Sequence, residues 1–265
     1  MKKYFYILIL STLPYSASLT GVGAPEQDSL PPLAFTLYPT LHEMSGYAVG
    51  VHKDYTLVFG GVIHEGAPEL QNTYPNMEII LIDYRRRRAS AFTTGSFKGI
   101  LGEQLAARGM AYFQDGSTLY LIGGYGYSET HGRFLTFPYL TTIDLPATIE
   151  ALNRGAPPVG AVHQLCDDRL AIFDGTMDYN QDEFFLLNGR KAQKLHPFED
   201  DSEYMEETRE GQVRTFRLSG EGSSLQINQF RTWYDLQAFE EYYQGTLPPK
   251  IAIAVEKWRQ SQLED

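Results

Sequence analysis

The chain has 265 residues, 43% of them hydrophobic, with 18 Tyr, 15 Phe, 24 Gly and one cysteine. This length and apolar share fit a globular protein of one or two domains, and the aromatic and glycine content favours strands over helices. A formal net charge of −11 argues against nucleic acid and anionic membrane as partners, and a lone cysteine excludes an intrachain disulfide.

At the N-terminus, Lys2 and Lys3 precede an apolar block at 4–13, and small residues follow at 16–18. This is the order of an export signal, and the block is too short to span a bilayer. Residues 1–18 are therefore read as a signal peptide, and the mature protein is expected in the periplasm, at the cell surface or secreted. Cys166 stands far from the processing site, which argues against lipid attachment there. No later segment is long and apolar enough for a membrane helix, so no membrane insertion is expected. Residues 19–32 are rich in Pro, Gly and Ser and read as a linker, and 33–38 is a strand candidate.

Three segments then repeat one message. Residues 55–61 read Tyr-Thr-Leu-Val-Phe-Gly-Gly, 118–124 read Thr-Leu-Tyr-Leu-Ile-Gly-Gly, and 183–189 read Glu-Phe-Phe-Leu-Leu-Asn-Gly. The second glycines, Gly61, Gly124 and Gly189, are 63 and 65 residues apart, a period that marks a repeat architecture. With Gly60 and Gly123 they are the structural glycines of the repeat, supplying positive φ or close backbone approach.

Each repeat fits a template of four strands. The first takes 46–51, 55–59, 77–83 and 89–93, with the 62–76 loop between its second and third strands. The second takes 109–113, a turn containing Asp115-Gly116, 118–122, a loop at 125–138, and 139–145. A short helix at 147–153 replaces a clear fourth strand, which leaves Cys166 in a loop. The third takes 169–173, 183–187, a loop at 190–211, then 212–218 and 224–230. Four short antiparallel strands joined by a tight hairpin and one long loop make a propeller blade. The fold class is thus all-β, a partial β-propeller with three recognisable blades and part of a fourth.

The double glycine after an apolar strand, followed by a loop and a strand closing on Asp (Asp83, Asp144), resembles the kelch family. Residues 118–145 carry most of the likeness, which points in particular to secreted kelch-repeat proteins of Bacteroidetes-type bacteria. It covers about 33–235. The pattern departs from the family in lacking a Trp before Trp233 and in reading Asn188-Gly189 in the third repeat. The resemblance implies propeller blades over 33–239, with 240–265 as a tail outside the repeat. Six or seven blades would need a longer chain, so the chain is read as part of a larger propeller or as an open ring able to self-associate through its edge.

No residue pattern points to catalysis, a metal or a cofactor. The six histidines are scattered, and no nucleophile elbow or phosphate loop is present. The acidic run at 199–210 lacks the spacing of a calcium loop and reads as a solvated segment, and Arg85–Arg88 reads as an exposed hairpin tip. The expected function is an exported, non-catalytic module that binds protein or glycan through long loops on one face. Tyr125, Tyr127, His131, Arg133 and Phe134 are the candidate contacts, because they mix aromatic and polar groups on one such loop. The alternatives are a carbohydrate-active enzyme of the epimerase or mutarotase kind found on some kelch propellers, or a truncated, inactive product.

Overall fold

The computed structural model describes residues 43–65, 72–194, 206–209 and 212–261. The proposed signal peptide, the linker, the strand candidate at 33–38 and most of the acidic run lie outside the described residues. The chain is mostly β. Its first repeat forms a four-stranded antiparallel meander of Ala48–His52, Tyr55–Phe59, Glu78–Asp83 and Arg88–Thr93, in chain order, matching the expected strands. The second repeat pairs Ala111–Asp115, Thr118–Ile122, Tyr139–Asp144 and Val162–Cys166 in the same order. The third pairs Thr176–Asn180, Glu183–Leu187, Val213–Ser219 and Gln226–Trp233.

Two strand expectations are corrected. The second repeat does have a fourth strand, Val162–Cys166, which follows a helix rather than being replaced by one, so Cys166 sits in a sheet opposite Tyr139. The first strand of the third repeat is Thr176–Asn180. The apolar run before it is a 3-10 turn at Asp168–Leu170 followed by Ile172 and Phe173, both almost wholly buried. Hydrophobicity alone misleads there, because those side chains plug the join between sheets while the true strand is half polar.

The three sheets stack in sequence. Leu57, Phe59, Ile79 and Leu81 of the first meet Leu119, Leu121 and Ile143 of the second. The other face of the second, with Ile122 and Leu140, meets Phe184, Leu186 and Phe216 of the third. A central strand in such a stack buries both faces, which is why its sequence is continuously apolar rather than alternating. Phe59, Phe216, Leu57 and Leu119 are each fully buried, and burying each such side chain contributes about 1.5–3 kcal/mol.

Among the described residues there are four α-helices: α1 (Ile100–Leu105), α2 (Leu145–Asn153), α3 (Leu236–Tyr243) and α4 (Pro249–Ser261). Asp144 caps α2, accepting from the Ala147 amide at 2.9 Å, and Pro146 suits the first turn. Asp235 caps α3 through the Gln237 and Ala238 amides. After Gln226–Trp233 the described chain forms no strands of a further repeat. Instead α3 and α4 place Phe239, Tyr243, Ile251 and Val255 on the outer face of the third sheet, against Phe185, Leu187 and Val213.

Neighbouring repeats join through main chain where glycines stand. The Gly61 amide donates to Ala107 O at 3.0 Å, and Gly124 donates to Ile172 O at 2.8 Å. A Cβ on Gly60 would sit 2.1 Å from Ala107 O, and one on Gly123 1.9 Å from Ile172 O. Position 188, the third-repeat counterpart, is Asn with φ 55°. Among the described residues no sheet follows the third, and Asn tolerates the left-handed conformation. The same holds one turn earlier. Gly46 and Gly109 are followed at that position by Asp174, also left-handed at φ 56°. At the first position of the pair the glycine is therefore replaced in the last described sheet, while Gly189 keeps the second.

Candidate functional site

The long connections expected as loops are hairpins. In the first repeat, Val62–Glu65 pairs with Asn72–Pro75, and Glu43–Ser45 adds on the other side. In the second, Tyr125–Ser128 pairs with Arg133–Thr136. The third contributes Arg190–Lys194 and Glu206–Arg209, which join the second hairpin in one four-stranded sheet. Thr136 fastens that junction, donating to Ala192 O and accepting from the Ala192 amide, both at 2.9 Å.

In an antiparallel meander the second-to-third and fourth-to-first connections leave at one end. The hairpins therefore share that end with α1, which lies in the connection from the first sheet to the second. Between the first hairpin, the second hairpin and α1 runs a groove of about 710 Å³. Tyr74 and Met77 form one wall and Tyr127 and Phe134 the other. Gly102, Glu103 and Ala106 of the α1 region form the floor. Tyr74, Met77 and Tyr127 are 46%, 53% and 39% exposed, a concentration of large apolar surface at the mouth of a concave site that suits a ligand.

The wall is rigid. Tyr125 is nearly buried, stacked on Phe134 at 5.9 Å and packed on Phe173 at 5.3 Å. Arg108 lies over both the Tyr125 and Phe173 rings, at 5.3 and 5.5 Å. Tyr127 meets Phe134 edge-on at 5.3 Å. The floor is rigid too. Gln104, fully buried, donates to Gly123 O and Tyr139 O and accepts from Thr141 Oγ1 and Gln164 Nε2, so α1 is fixed to the second sheet. Asn76, also fully buried, binds Gly60 O and both main-chain groups of Glu78.

One cluster invites a catalytic reading: Glu103, Ser128 and His131. Ser128 Oγ donates to Glu103 Oε2 at 2.5 Å and stands 2.9 Å from His131 Nδ1. A hydroxyl has one proton, and the carboxylate takes it, so His131 must donate to the serine rather than accept from it. A serine nucleophile needs the reverse order. Ser128 is also 0% exposed. Thr130 gives Glu103 two further bonds, from its amide at 3.0 Å and its hydroxyl at 2.6 Å. Burial pushes the Glu103 carboxyl up, but the Ser128 and Thr130 hydrogen bonds and the nearby His131 outweigh it, and the net shift is down. The cluster thus ties the second hairpin to α1.

No family model matches the chain, and no curated protein is similar to it.

The candidate contacts divide between two cavities. Tyr125, Tyr127 and Phe134 line the groove. His131 and Arg133 line a second cavity of about 510 Å³, with Tyr139, Asp168 and Lys191. Tyr139 there faces Cys166 across the sheet; burial, then the neighbouring Cys166, pushes its phenol up. Among the described residues no group of three or more His, Cys, Asp or Glu side chains is placed to hold a metal, and no helix is long and apolar enough to cross a membrane. Gly60, Gly61, Gly123, Gly124 and Gly189 all have positive φ. Of the arginine run, Arg85–Arg87 falls in an exposed turn and Arg88 opens the next strand, with Arg86 and Arg88 reaching the buried Asp83. Sequence reasoning missed Tyr74, Met77, Glu103 and Gln104. Their roles come from α1 and the first hairpin folding towards the second, and no local motif announces that.

Proposed function

We propose that this chain is a binding module whose three sheets are successive blades of a partial kelch-type propeller, taking its ligand in the groove between the first two hairpins. The observation that carries this reading is the groove itself, with exposed Tyr74, Met77 and Tyr127 held on a rigid frame. Two further features support the blade assignment. The first strands of the three sheets lie side by side, as the inner strands of a propeller do. The main chain also links them in series, Gly109 donating to Gly46 O and Asp174 to Gly109 O, each at 2.7 Å. The acidic net charge fits a protein or glycan partner better than nucleic acid.

The test is a screen of the purified chain against a glycan array and a displayed peptide library, repeated with Tyr74→Ala and Tyr127→Ala together. Binding should fall at least about tenfold with an unchanged melting temperature. Binding that survives this change but is lost on altering Lys53 or Asp115, at the opposite end of the sheets, would refute the site. Export belongs to the same proposal: mass spectrometry of protein from the native host should find an N-terminus near residue 18 or 19, and an intact Met1 would refute it.

A further inference from the structure

The groove has an unfilled strand position. At the base of the second hairpin the Phe137 amide donates to Gly124 O at 2.8 Å. In an antiparallel pair the inward-facing residues alternate, so Gly126 and Ser128 point their main-chain groups at Leu135 and Arg133, their opposite numbers. Tyr125 and Tyr127 point theirs the other way. Tyr125 exchanges both bonds with Arg108, at 2.8 and 3.0 Å. Two residues on, Tyr127 has no strand beside it among the described residues, because the chain behind Arg108 turns back into α1.

The first repeat shows what this position accepts. There the strand Glu43–Ser45 runs antiparallel to Val62–Glu65, with Ser45 opposite Val62 and Glu43 opposite His64. Val62 and His64 stand 63 residues before Tyr125 and Tyr127. Arg108 opposite Tyr125 repeats the Ser45 pair, and a strand partner corresponding to Glu43 is absent among the described residues, because Ala106, 63 residues after Glu43, caps α1 instead. Where it would lie, the groove opens between Gly126 and Tyr127 on one side and Gly102, Glu103 and Ala106 on the other.

We propose that the groove takes an extended segment of a partner polypeptide, which lies antiparallel beside Tyr127, beyond the Arg108–Tyr125 pair, and exchanges main-chain hydrogen bonds with Tyr127. The inference rests on the groove being the binding site and specifies the ligand as a peptide strand. Main-chain pairing along an open sheet edge provides the attachment, and alternate side chains provide the selection. The exposed Tyr74 and Met77 wall selects apolar residues at every second position.

The experiment selects octapeptides from a displayed random library on the full chain, then remakes the best one with single N-methyl groups along its backbone. Methylation should abolish binding at alternate residues and be tolerated between them. Tyr127→Ala, which keeps the main-chain amide, should weaken binding no more than about tenfold, while Tyr127→Pro, which removes an amide that the hairpin itself does not use, should weaken it well beyond that. Uniform tolerance of methylation, or equal losses in the two variants, overturns the strand inference. Glycans that bind where peptides fail, and are lost in Tyr127→Ala, overturn the strand inference and leave the groove reading standing. Selected peptides whose binding is indifferent to Tyr74 and Tyr127 overturn both.

Discussion

Replacing Gly123 with alanine tests the main-chain joint between the second and third sheets. The new Cβ would lie 1.9 Å from Ile172 O and 2.9 Å from its carbonyl carbon, on a residue with φ +68°. Ordinary contact begins near 3.4 Å, so the carbonyl must retreat by about 1.5 Å. It would then release the 2.8 Å bond from the Gly124 amide. Left-handed alanine costs about 1–2 kcal/mol, the forced repacking about 1–3 and the lost hydrogen bond about 0.5–1.5, together about 2.5–6.5 kcal/mol. That is a large share of the about 5–15 kcal/mol that holds a domain folded. Gly116→Ala is the control, because Gly116 has φ +53° with nothing within 4 Å of a Cβ, so only the backbone term of about 1–2 kcal/mol applies. Urea unfolding of the full chain followed by fluorescence measures both. If the two variants differ by less than about 1 kcal/mol with equal m values, the close approach of the repeats at Gly123 is wrong.

Gln104→Ala leaves four hydrogen-bonding partners of a fully buried side chain to find others and should destabilise by at least about 2 kcal/mol in the same assay. Because the Glu103 carboxyl is held below its ordinary value, its contribution is present above the unfolded pKa and is lost as pH falls through the folded one. The protection of the Arg133–Thr136 amides, after correction for their intrinsic exchange rates, should therefore fall on acidification below the usual carboxylate range, and Glu103→Gln should remove that pH dependence of protection; an identical protection profile in the variant would refute the role. Phe239→Ala deletes a fully buried ring of α3 and should cost about 3–5 kcal/mol. Light scattering should show it self-associating more than the parent chain as the third sheet loses its cover.

The sequence by itself determined the repeat. Apolar runs closing on a glycine pair could only be strands buried on both faces and crowded at one end, and residues 55–59, 118–122 and 183–187 are such strands. It also indicated the first sheet entire and the helix after Asp144, since alternation, turn residues and caps are local signals. Tertiary structure decided the rest. Ile172 and Phe173 look like a strand but plug a joint, because burial between sheets asks only for hydrophobicity and not for extension. The long connections look polar and loop-like, yet they pair with one another across repeats, as Thr136 does with Ala192, and such pairing has no local signature. Residues 236–261 carry no trace of the repeat, and their place over Phe185 and Leu187 follows from the apolar face that the last sheet would otherwise expose. The groove exists only because α1, two hairpins and the Gln104 network meet, and Tyr127 has an open edge only because the segment that would pair with it folded as a helix.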